Sequence, residues 1–247
     1  TLDTVAPVFS GGLSTVSDSG QSDSDGVTNK GAPTFEGSGE VNATVLLTFA
    51  NGTTYTSVVD ATGRWQVVLP TPLAAGDYNY TLSSTDIASN TRTLPVATLK
   101  IDTVAELTVT GLTSASNSYY LESSDGKGAT DHITNIVSPS IEGKAEPGAS
   151  ITVTLTASNN RSEDFTSVAD TLGNWVVAIA AQTEDQYTYT VETVDIAGNI
   201  QLITNQRLTI DITQPQITGG LAKISDTGRY ENDGITNQLT PEFEGTG

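Results

Sequence analysis

Carboxylate side chains gather in short loops of this 247-residue chain, where their spacing would suit a bound cation. Three lie within eight residues near the start, and three more occupy the matching places near the end; they are Asp18, Asp23 and Asp25, and Asp226, Glu231 and Asp233. Glu231 keeps a carboxylate at the place of Asp23, which a merely solvated loop would not require. Calcium takes six to eight oxygen ligands from carboxylates, amides and backbone carbonyls. These loops therefore predict calcium sites.

A third version of the acidic loop, in the middle of the chain, keeps only part of this pattern. Asp131 is retained as a candidate ligand, but Ser124 and Ala129 stand where the first loop has Asp18 and Asp23. None of the three loops has the D-x-D-x-D-G spacing of an EF-hand. Zinc is disfavoured because the chain has one His and no Cys. The competing interpretation is that the acidic loops are only solvated.

Composition excludes several classes of function. Ten Lys and Arg face 29 Asp and Glu, which gives a formal net charge of −19. Because a polyanion is repelled by phosphate backbones, we expect no nucleic-acid partner. No stretch approaches the roughly 20 apolar residues that span a bilayer, so we expect no membrane insertion of this segment. The absence of cysteine excludes disulfides and thiolate nucleophiles.

Internal repetition predicts how the chain is organised. The run that begins at Asp3 (Asp-Thr-Val-Ala) returns at Asp102, and a looser version begins at Asp211. A Gly-x-Trp motif recurs at Trp65 and Trp175 with a similar spacing. We predict two complete repeats, residues 1–101 and 102–210, and the N-terminal part of a third, truncated repeat at residues 211–247. Asp102 lies in the linker, where it and the carboxylates of an adjacent loop could converge on one cation.

Short strands separated by turns are predicted within each repeat. In the first, residues 43–50 and 53–59 are β-rich and flank an Asn-Gly turn, and residues 65–69, 78–84 and 94–101 continue the series. No helical period of 3.6 is evident. About seven strands in about 100 residues is typical of an immunoglobulin-like sandwich. The predicted fold class is therefore all-β, with tandem immunoglobulin-like β-sandwiches arranged end to end as a rod.

Six aromatic positions have structural explanations. Trp65 and Trp175 each open a strand after a turn, so we predict that they fill the core of their sandwich. Tyrosines lie two residues apart at positions 78 and 80 and again at 187 and 189. We predict that one member of each pair packs inward and that the other anchors a corner hydrogen bond.

The combined motifs resemble bacterial Ig-like repeats of giant type I-secreted adhesins of Gram-negative bacteria and of biofilm-associated surface proteins. They are Asp-Thr-x-Ala-Pro at the start of a repeat, Ser-Asp-x-Gly followed by Asp-Gly-x-Thr-Asn, Glu-Pro-Gly-Ala at residues 146–149, Gly-x-Trp, and Asp-x-Ala-Gly-Asn. The resemblance covers the whole chain. It implies calcium ions at and near repeat junctions, which stiffen a rod that holds a distal adhesive region away from the cell.

Carried over by position, the resemblance also implies junction ligands and a cellular setting. The linker ligands would be Asp102 and Asp211, with Asp86 and Asp195 as candidates from the Asp-x-Ala-x-Asn loops; which end of the sandwich those two loops occupy stays open. The implied protein is secreted, located at the cell surface, and monomeric. Its partners are the neighbouring repeats of the same chain and, through distal regions of the parent, a host-cell or abiotic surface.

Two other functions compete with a calcium-stiffened spacer. The first is recognition of a glycan or a host protein by one repeat through its exposed loops, for which the Tyr119-Tyr120 pair is the best lead. A glycosidase with paired carboxylates is the second. We expect no enzyme, because a catalytic pair belongs in one concave site whereas these carboxylates recur once per repeat.

Overall fold

The computed structural model describes residues 2–118, 132–230 and 232–247, and every regular element in these ranges is a β-strand. Within the same ranges, no helix is long and apolar enough to cross a membrane. The chain divides into two compact units, Thr1–Ile210 and Asp211–Gly247. The first contains both complete repeats.

The first repeat is a sandwich of two sheets. One sheet has the strand order β1-β3-β6, and the other has β2-β9-β7-β4-β5, with the short β8 paired to β7. The strands are β1 (Ser10–Leu13), β2 (Val27–Thr28), β3 (Thr34–Ser38), β4 (Thr44–Phe49), β5 (Thr54–Val58), β6 (Arg64–Val68), β7 (Gly76–Thr85), β8 (Thr91–Thr93) and β9 (Ala97–Ile101).

The second repeat has the same topology. Its sheets have the orders β10-β12-β15 and β11-β17-β16-β13-β14. The strands are β10 (Leu107–Leu112), β11 (Ile133–Thr134), β12 (Ser140–Ala145), β13 (Ser150–Thr156), β14 (Ser162–Val168), β15 (Asn174–Ala178), β16 (Asp185–Val194) and β17 (Ile200–Ile210). The predictions of an all-β fold and of immunoglobulin-like sandwiches are confirmed.

Alternation of side chains along the strands builds each core. In β4 and β13, every second residue is buried, because successive side chains of a strand point to opposite faces of the sheet. Phe35 of β3 meets Tyr80 of β7 with ring centroids 4.9 Å apart, which joins the two sheets of the first repeat. Each repeat thus has its own contiguous apolar core.

The aromatic residues singled out in the sequence lie in these cores. Trp65 and Trp175 are 3% and 1% exposed, so their predicted structural role is confirmed. The corner hydrogen bonds are also present: Tyr78 donates its hydroxyl to the carbonyl of Ala74, and Tyr187 donates to that of Thr183. The expectation that only one tyrosine of each pair packs inward was wrong for the second repeat. Residues 187 and 189 are both buried there, since residues two apart share one face of a strand.

The unit Asp211–Gly247 contains one antiparallel pair, β18 (Thr218–Leu221) and β19 (Phe243–Thr246). Its register repeats that of β1 and β3. Phe243 is 77% exposed, whereas its counterpart Phe35 is fully buried beneath the second sheet of the first repeat. The described strands of this unit therefore correspond to one part of a sandwich.

The two core tryptophans differ in one hydrogen bond, which gives a testable difference in stability. The Nε1–H of Trp65 donates to the carbonyl of Ser10 at 3.1 Å, whereas the buried Nε1–H of Trp175 has no partner in the part of the chain that the structure describes. Replacement by phenylalanine removes a hydrogen bond in one case and an unsatisfied donor in the other. We expect Trp65→Phe to lower the free energy of unfolding by about 1–3 kcal/mol more than Trp175→Phe does.

Urea unfolding followed by circular dichroism measures both losses. In each variant, the fluorescence of the remaining tryptophan follows unfolding of the unaltered repeat. The other unfolding transition seen by circular dichroism then belongs to the repeat that carries the substitution. Equal losses in the two variants would show that the indole of Trp175 is satisfied after all, for instance by an ordered water.

Candidate metal centre

Two strand registers bring the linker and two loops to the same end of the second repeat. Leu107 of β10 pairs with Ala145 of β12, so the linker before β10 lies beside the turn after β12. Ser150 of β13 pairs with Val194 of β16, so the same turn lies beside the loop after β16. The linker, the 146–149 turn and the 195–199 loop therefore meet at the N-terminal end of this sandwich.

An asparagine fixes the linker to the 195–199 loop. The side-chain amide of Asn199 donates to the backbone carbonyl of Asp102 at 2.9 Å and to Oδ2 of Asp195 at 2.8 Å. Oδ1 of Asp195 accepts the backbone N–H of Asn199, also at 2.8 Å. Asp195 is 1% exposed, whereas Asn199 and Asp102 are partly exposed, so the network is buried at its aspartate end. One side chain thereby sets the position of the linker carboxylate.

Three carboxylates converge as a result. Asp102, Glu146 and Asp195 each present an oxygen, and these oxygens all lie within 4.8 Å of one another. Among the described residues, no other three His, Cys, Asp or Glu side chains meet in this way. The sequence-based ligands Asp102 and Asp195 are thus brought together, while their calcium-binding role stays a prediction.

Glu146 was missed as a candidate ligand. It belongs to the Glu-Pro-Gly-Ala motif that marks the repeats, and Glu40 stands at the matching place in the first repeat. This recurrence of an acidic residue was the available signal. It was not used because an isolated glutamate in a turn has no neighbouring carboxylate in sequence.

The electrostatics of the cluster are unfavourable without a counter-ion. Burial raises the pKa of Glu146, and the nearby carboxylates of Asp102 and Asp195 raise it further. A hydrogen bond from the backbone N–H of Glu106 and the charge of Lys100 act in the opposite direction. Lys100 Nζ lies 3.2 Å from Oδ2 of Asp102, and this contact raises the pKa of Lys100. One ammonium against three carboxylates leaves an excess of two negative charges.

The donor set fits a hard divalent cation. All three side chains supply oxygen, which calcium and magnesium prefer, and none supplies nitrogen or sulfur. The excess of two negative charges matches the charge of such an ion. Asp102, Glu146 and Asp195 would hold it, together with backbone carbonyls or water, because calcium needs six to eight ligands.

The first repeat carries the same clamp at its own N-terminal end. The side-chain amide of Asn90 donates to Oδ2 of Asp86 at 2.8 Å and to the carbonyl of Asp3 at 3.3 Å. The 86–90 and 195–199 loops therefore both lie at the N-terminal end of their repeats, which answers the question that the sequence left open. Asp86 is consequently remote in the fold from the acidic loop of its own repeat, whose neighbour is the end of β9.

Asp18 is the second feature that points to a cation. It is 5% exposed; its Oδ2 accepts the backbone N–H of Gly26 at 3.0 Å, but its Oδ1 is buried and has no hydrogen-bond partner among the residues that the structure describes. Burial raises its pKa, and the charges of Asp25 and Asp23, both exposed, add to the effect. A buried, unpartnered carboxylate oxygen is costly unless a ligand satisfies it.

The second compact unit repeats this geometry within its own loop. Oδ2 of Asp226 accepts the backbone N–H groups of Asn232 and Gly234, and its Oδ1 is again buried and unpartnered among the described residues. Oδ1 of Asp233 accepts the N–H of Ile235 at 2.9 Å, as Asp25 does for Val27 in the first repeat. Glu231 lies outside the described residues. Asp211 is exposed, and its Oδ1 accepts the N–H of Thr213.

The middle loop departs from the alignment expected from sequence. The backbone carbonyl of Ser116 accepts a hydrogen bond from the hydroxyl of Thr134, and the carbonyl of Ser17 accepts the same bond from Thr28. Ser116 is therefore the counterpart of Ser17, and the next residue, Asn117, is the counterpart of Asp18. The assignment of Ser124 to this place was therefore wrong. The cause is an insertion: residues 19 and 25 are six apart, whereas 118 and 131 are thirteen apart. Asp131 and the Tyr119-Tyr120 pair lie outside the described residues.

The acidic loop that adjoins the linker cluster comes from the first repeat. The backbone N–H of Gln21 donates to the carbonyl of Ile196 at 3.1 Å, which places the 17–26 loop against the 195–199 loop. Both features that point to a cation, the three-carboxylate cluster and the 17–26 loop, therefore lie where the first repeat meets the second.

Comparisons with known proteins agree with this architecture. A family model described as bacterial Ig-like domain matches residues 4–103 and 112–213. Among solved structures, the chain is similar to a tetra-tandem repeat in the extending region of a large adhesion protein. The identity is 17% over 91% of this chain and 54% of that one, with a TM-score of 0.40. The chain thus spans little more than half the length of that structure.

Two further solved structures are similar to this chain. One is the BSP domain of a biofilm-associated protein, with 19% identity over 76% of this chain and 29% of that one and a TM-score of 0.26. The other is the Yersinia pseudotuberculosis adhesin InvE, with 13% identity over 83% and 58% of the two chains and a TM-score of 0.30. A search of curated proteins found no match. At this level of identity the likenesses concern the fold alone.

The raised pKa of Glu146 predicts how stability depends on pH in the absence of metal. Between the ordinary value of 4.5 and the raised value, the folded chain binds more protons than the unfolded chain. Stability should therefore fall as the pH rises through this window. Glu146→Gln removes the repelled charge, so in chelator the variant should be more stable than the native chain at pH 7. The difference should shrink as the pH falls towards 4.5.

Thermal unfolding in excess chelator at a series of pH values measures this difference. Glu36→Gln makes the same change of charge at an exposed position of β3 and should not reproduce it. An equal gain in stability in both variants would mean that it comes from the change in net charge and not from the junction cluster.

Proposed function

Because this chain belongs to the family of bacterial Ig-like domains, we propose that it is an extender segment of a large, secreted bacterial surface adhesin. In this proposal calcium stiffens the junctions between repeats, and the segment presents a distal adhesive region for attachment to a cell or surface. The observation that carries the proposal is the convergence of Asp102, Glu146 and Asp195 where the first and second repeats meet.

Repulsion between carboxylates is the basis of the mechanism. Without a cation, the three negative charges favour separation of the linker from the 146–149 turn and the 195–199 loop. A bound calcium ion would neutralise the excess charge and bridge the carboxylate oxygens. The hydrogen bond from Asn199 to the linker carbonyl opposes this separation, so the cluster is partly arranged before an ion arrives.

The unpartnered oxygens of Asp18 and Asp226 extend the same idea to the acidic loops. Each belongs to a loop in which backbone N–H groups already occupy the other carboxylate oxygen. A cation at the free oxygen would satisfy a buried acceptor and link it to the exposed carboxylates of Asp25 and Asp233. Candidate ligands then recur along the chain, which suits scaffolding and requires no catalytic step.

A surface location follows from the affinity that such sites have. Extracellular calcium modules bind with dissociation constants of about 10⁻⁴–10⁻³ M. Sites of this strength are filled outside a cell and empty inside it. The chain would be pliant during secretion and stiff afterwards, and stiffness would propagate because each repeat contacts mainly its neighbours.

Calcium dependence of shape tests the proposal. Small-angle X-ray scattering in calcium should give the profile of a stiff, elongated particle, and excess chelator should give that of a flexible chain. Calorimetry should detect binding with a dissociation constant of about 10⁻⁴–10⁻³ M. The double variant Asp102→Asn, Glu146→Gln should bind fewer ions, because the junction cluster keeps only Asp195.

A matched control changes the same number of charges elsewhere. Glu36→Gln with Glu192→Gln alters two exposed strand residues and should leave calcium stoichiometry unchanged. Coincident scattering profiles with and without calcium, together with no heat of binding, would overturn the proposal and leave the acidic loops as solvated surface.

A further inference from the structure

Uncharged groups also join the first repeat to the second. Besides the contact between Gln21 N–H and the carbonyl of Ile196, the hydroxyl of Ser19 donates to the carbonyl of Ala197 at 2.8 Å. The side-chain amide of Gln21 donates to the carbonyl of Gly148 at 3.0 Å. None of these contacts uses a carboxylate, so they do not depend on the charges of the neighbouring candidate ligands.

Two glycines face each other within this interface. Gly20 has φ +100°, and a Cβ built on it would lie 2.0 Å from the carbonyl oxygen of Ile196. Gly198 has φ +88°, and a Cβ there would lie 3.0 Å from Cα of Gly20. A Cβ at position 20 would therefore overlap the neighbouring backbone, and a Cβ at position 198 would press against it closely enough that the two loops would have to move apart by a few tenths of an ångström.

The first repeat shows that the loop itself does not require glycine at the second of these positions. Ser89 occupies the place of Gly198 in the 86–90 loop with φ +72°, a left-handed conformation similar to that of Gly198. Its loop keeps the same hydrogen bonds between the aspartate and the asparagine. Serine is thus compatible with the turn, and the reason for glycine at 198 is the neighbouring repeat.

We propose that the 195–199 loop is a docking surface for the 17–26 loop of the preceding repeat, and that Gly198 is the residue that determines whether such docking occurs. A loop of this kind that has serine at the position of Gly198, such as the 86–90 loop, places a Cβ against the backbone of the loop from the preceding repeat. The kind of partner is also defined: it is an acidic loop with glycine at the place of Gly20.

The other two acidic loops of the chain differ in the residue at the position of Gly20. The third loop has Gly228 at the place of Gly20, following Thr227 at the place of Ser19. In the middle loop, the hydroxyl of Ser118 accepts the backbone N–H of Asn135, and in the first loop the hydroxyl of Ser19 accepts that of Asn29. Ser118 is therefore the counterpart of Ser19. The next residue in sequence is tyrosine and lies outside the described residues. Glycines at the two positions would therefore specify which junctions dock in this way.

Distance measurements between spin labels test the inference. The chain has no cysteine, so Gln66→Cys on β6 and Val176→Cys on β15 introduce the only two labelling sites, both exposed. In calcium, the native sequence should give one narrow distance distribution. Gly198→Ser should widen it, and Gly20→Ala, which creates the closer clash, should widen it further.

Ser89→Gly is the matched control, because it makes the reverse exchange at the same turn away from this junction. It should leave the distribution unchanged, and circular dichroism should show native strand content in Gly198→Ser. Unaltered distributions in both Gly198→Ser and Gly20→Ala would overturn the inference. Widening in Gly20→Ala alone would overturn the assignment to residue 198.

The same labels separate this inference from the calcium proposal. A native distribution that is identical in calcium and chelator, with widening in Gly198→Ser, would remove the calcium proposal and support docking through Gly198. A native distribution that narrows on calcium addition, with Gly198→Ser equal to native in both conditions, would support calcium stiffening and overturn docking through Gly198.

Discussion

A single side-chain amide in each repeat fixes the path of the linker. Asn199 and Asn90 each donate one hydrogen bond to the aspartate of their own loop and one to the carbonyl of the residue that begins the repeat. Because an amide nitrogen has two hydrogens and a planar geometry, it can hold two acceptors in a fixed relation. Together with the pairing of β10 with β12, this clamp places Asp102 beside Glu146 and Asp195. The arrangement of the candidate metal centre therefore depends on it.

Sequence patterns were sufficient for the fold and for part of the site. The β-rich runs and the Asn-Gly turn predicted the strands on either side of residues 51 and 52, and repetition identified both core tryptophans. Glu146 was not identified, because its proximity to Asp195 arises from the pairing of Ser150 with Val194, and register is not evident from local sequence. The counterpart of Asp18 was misplaced for a related reason: an insertion moved the later part of the motif away from Asn117.

Asn117 gives the middle loop a different character from its two counterparts. Asp18 and Asp226 each bury a carboxylate oxygen that lacks a partner in the described structure, whereas the middle repeat has a neutral amide at this place. A neutral group carries a smaller desolvation penalty and a weaker attraction for a cation. In the proposed mechanism, repeats with one fold would thus differ in how strongly their loops depend on metal, and stiffness would vary along the chain.

All three carboxylates of the junction cluster are encoded by one repeat, since Asp102, Glu146 and Asp195 fall within the stretch that begins at the linker. A duplicated copy of this stretch would carry all three candidate carboxylates to any new position in a gene. The preceding copy would have to contribute only a short glycine-containing loop. Arrays built from such units can lengthen or shorten by recombination without assembling a new site at each added boundary.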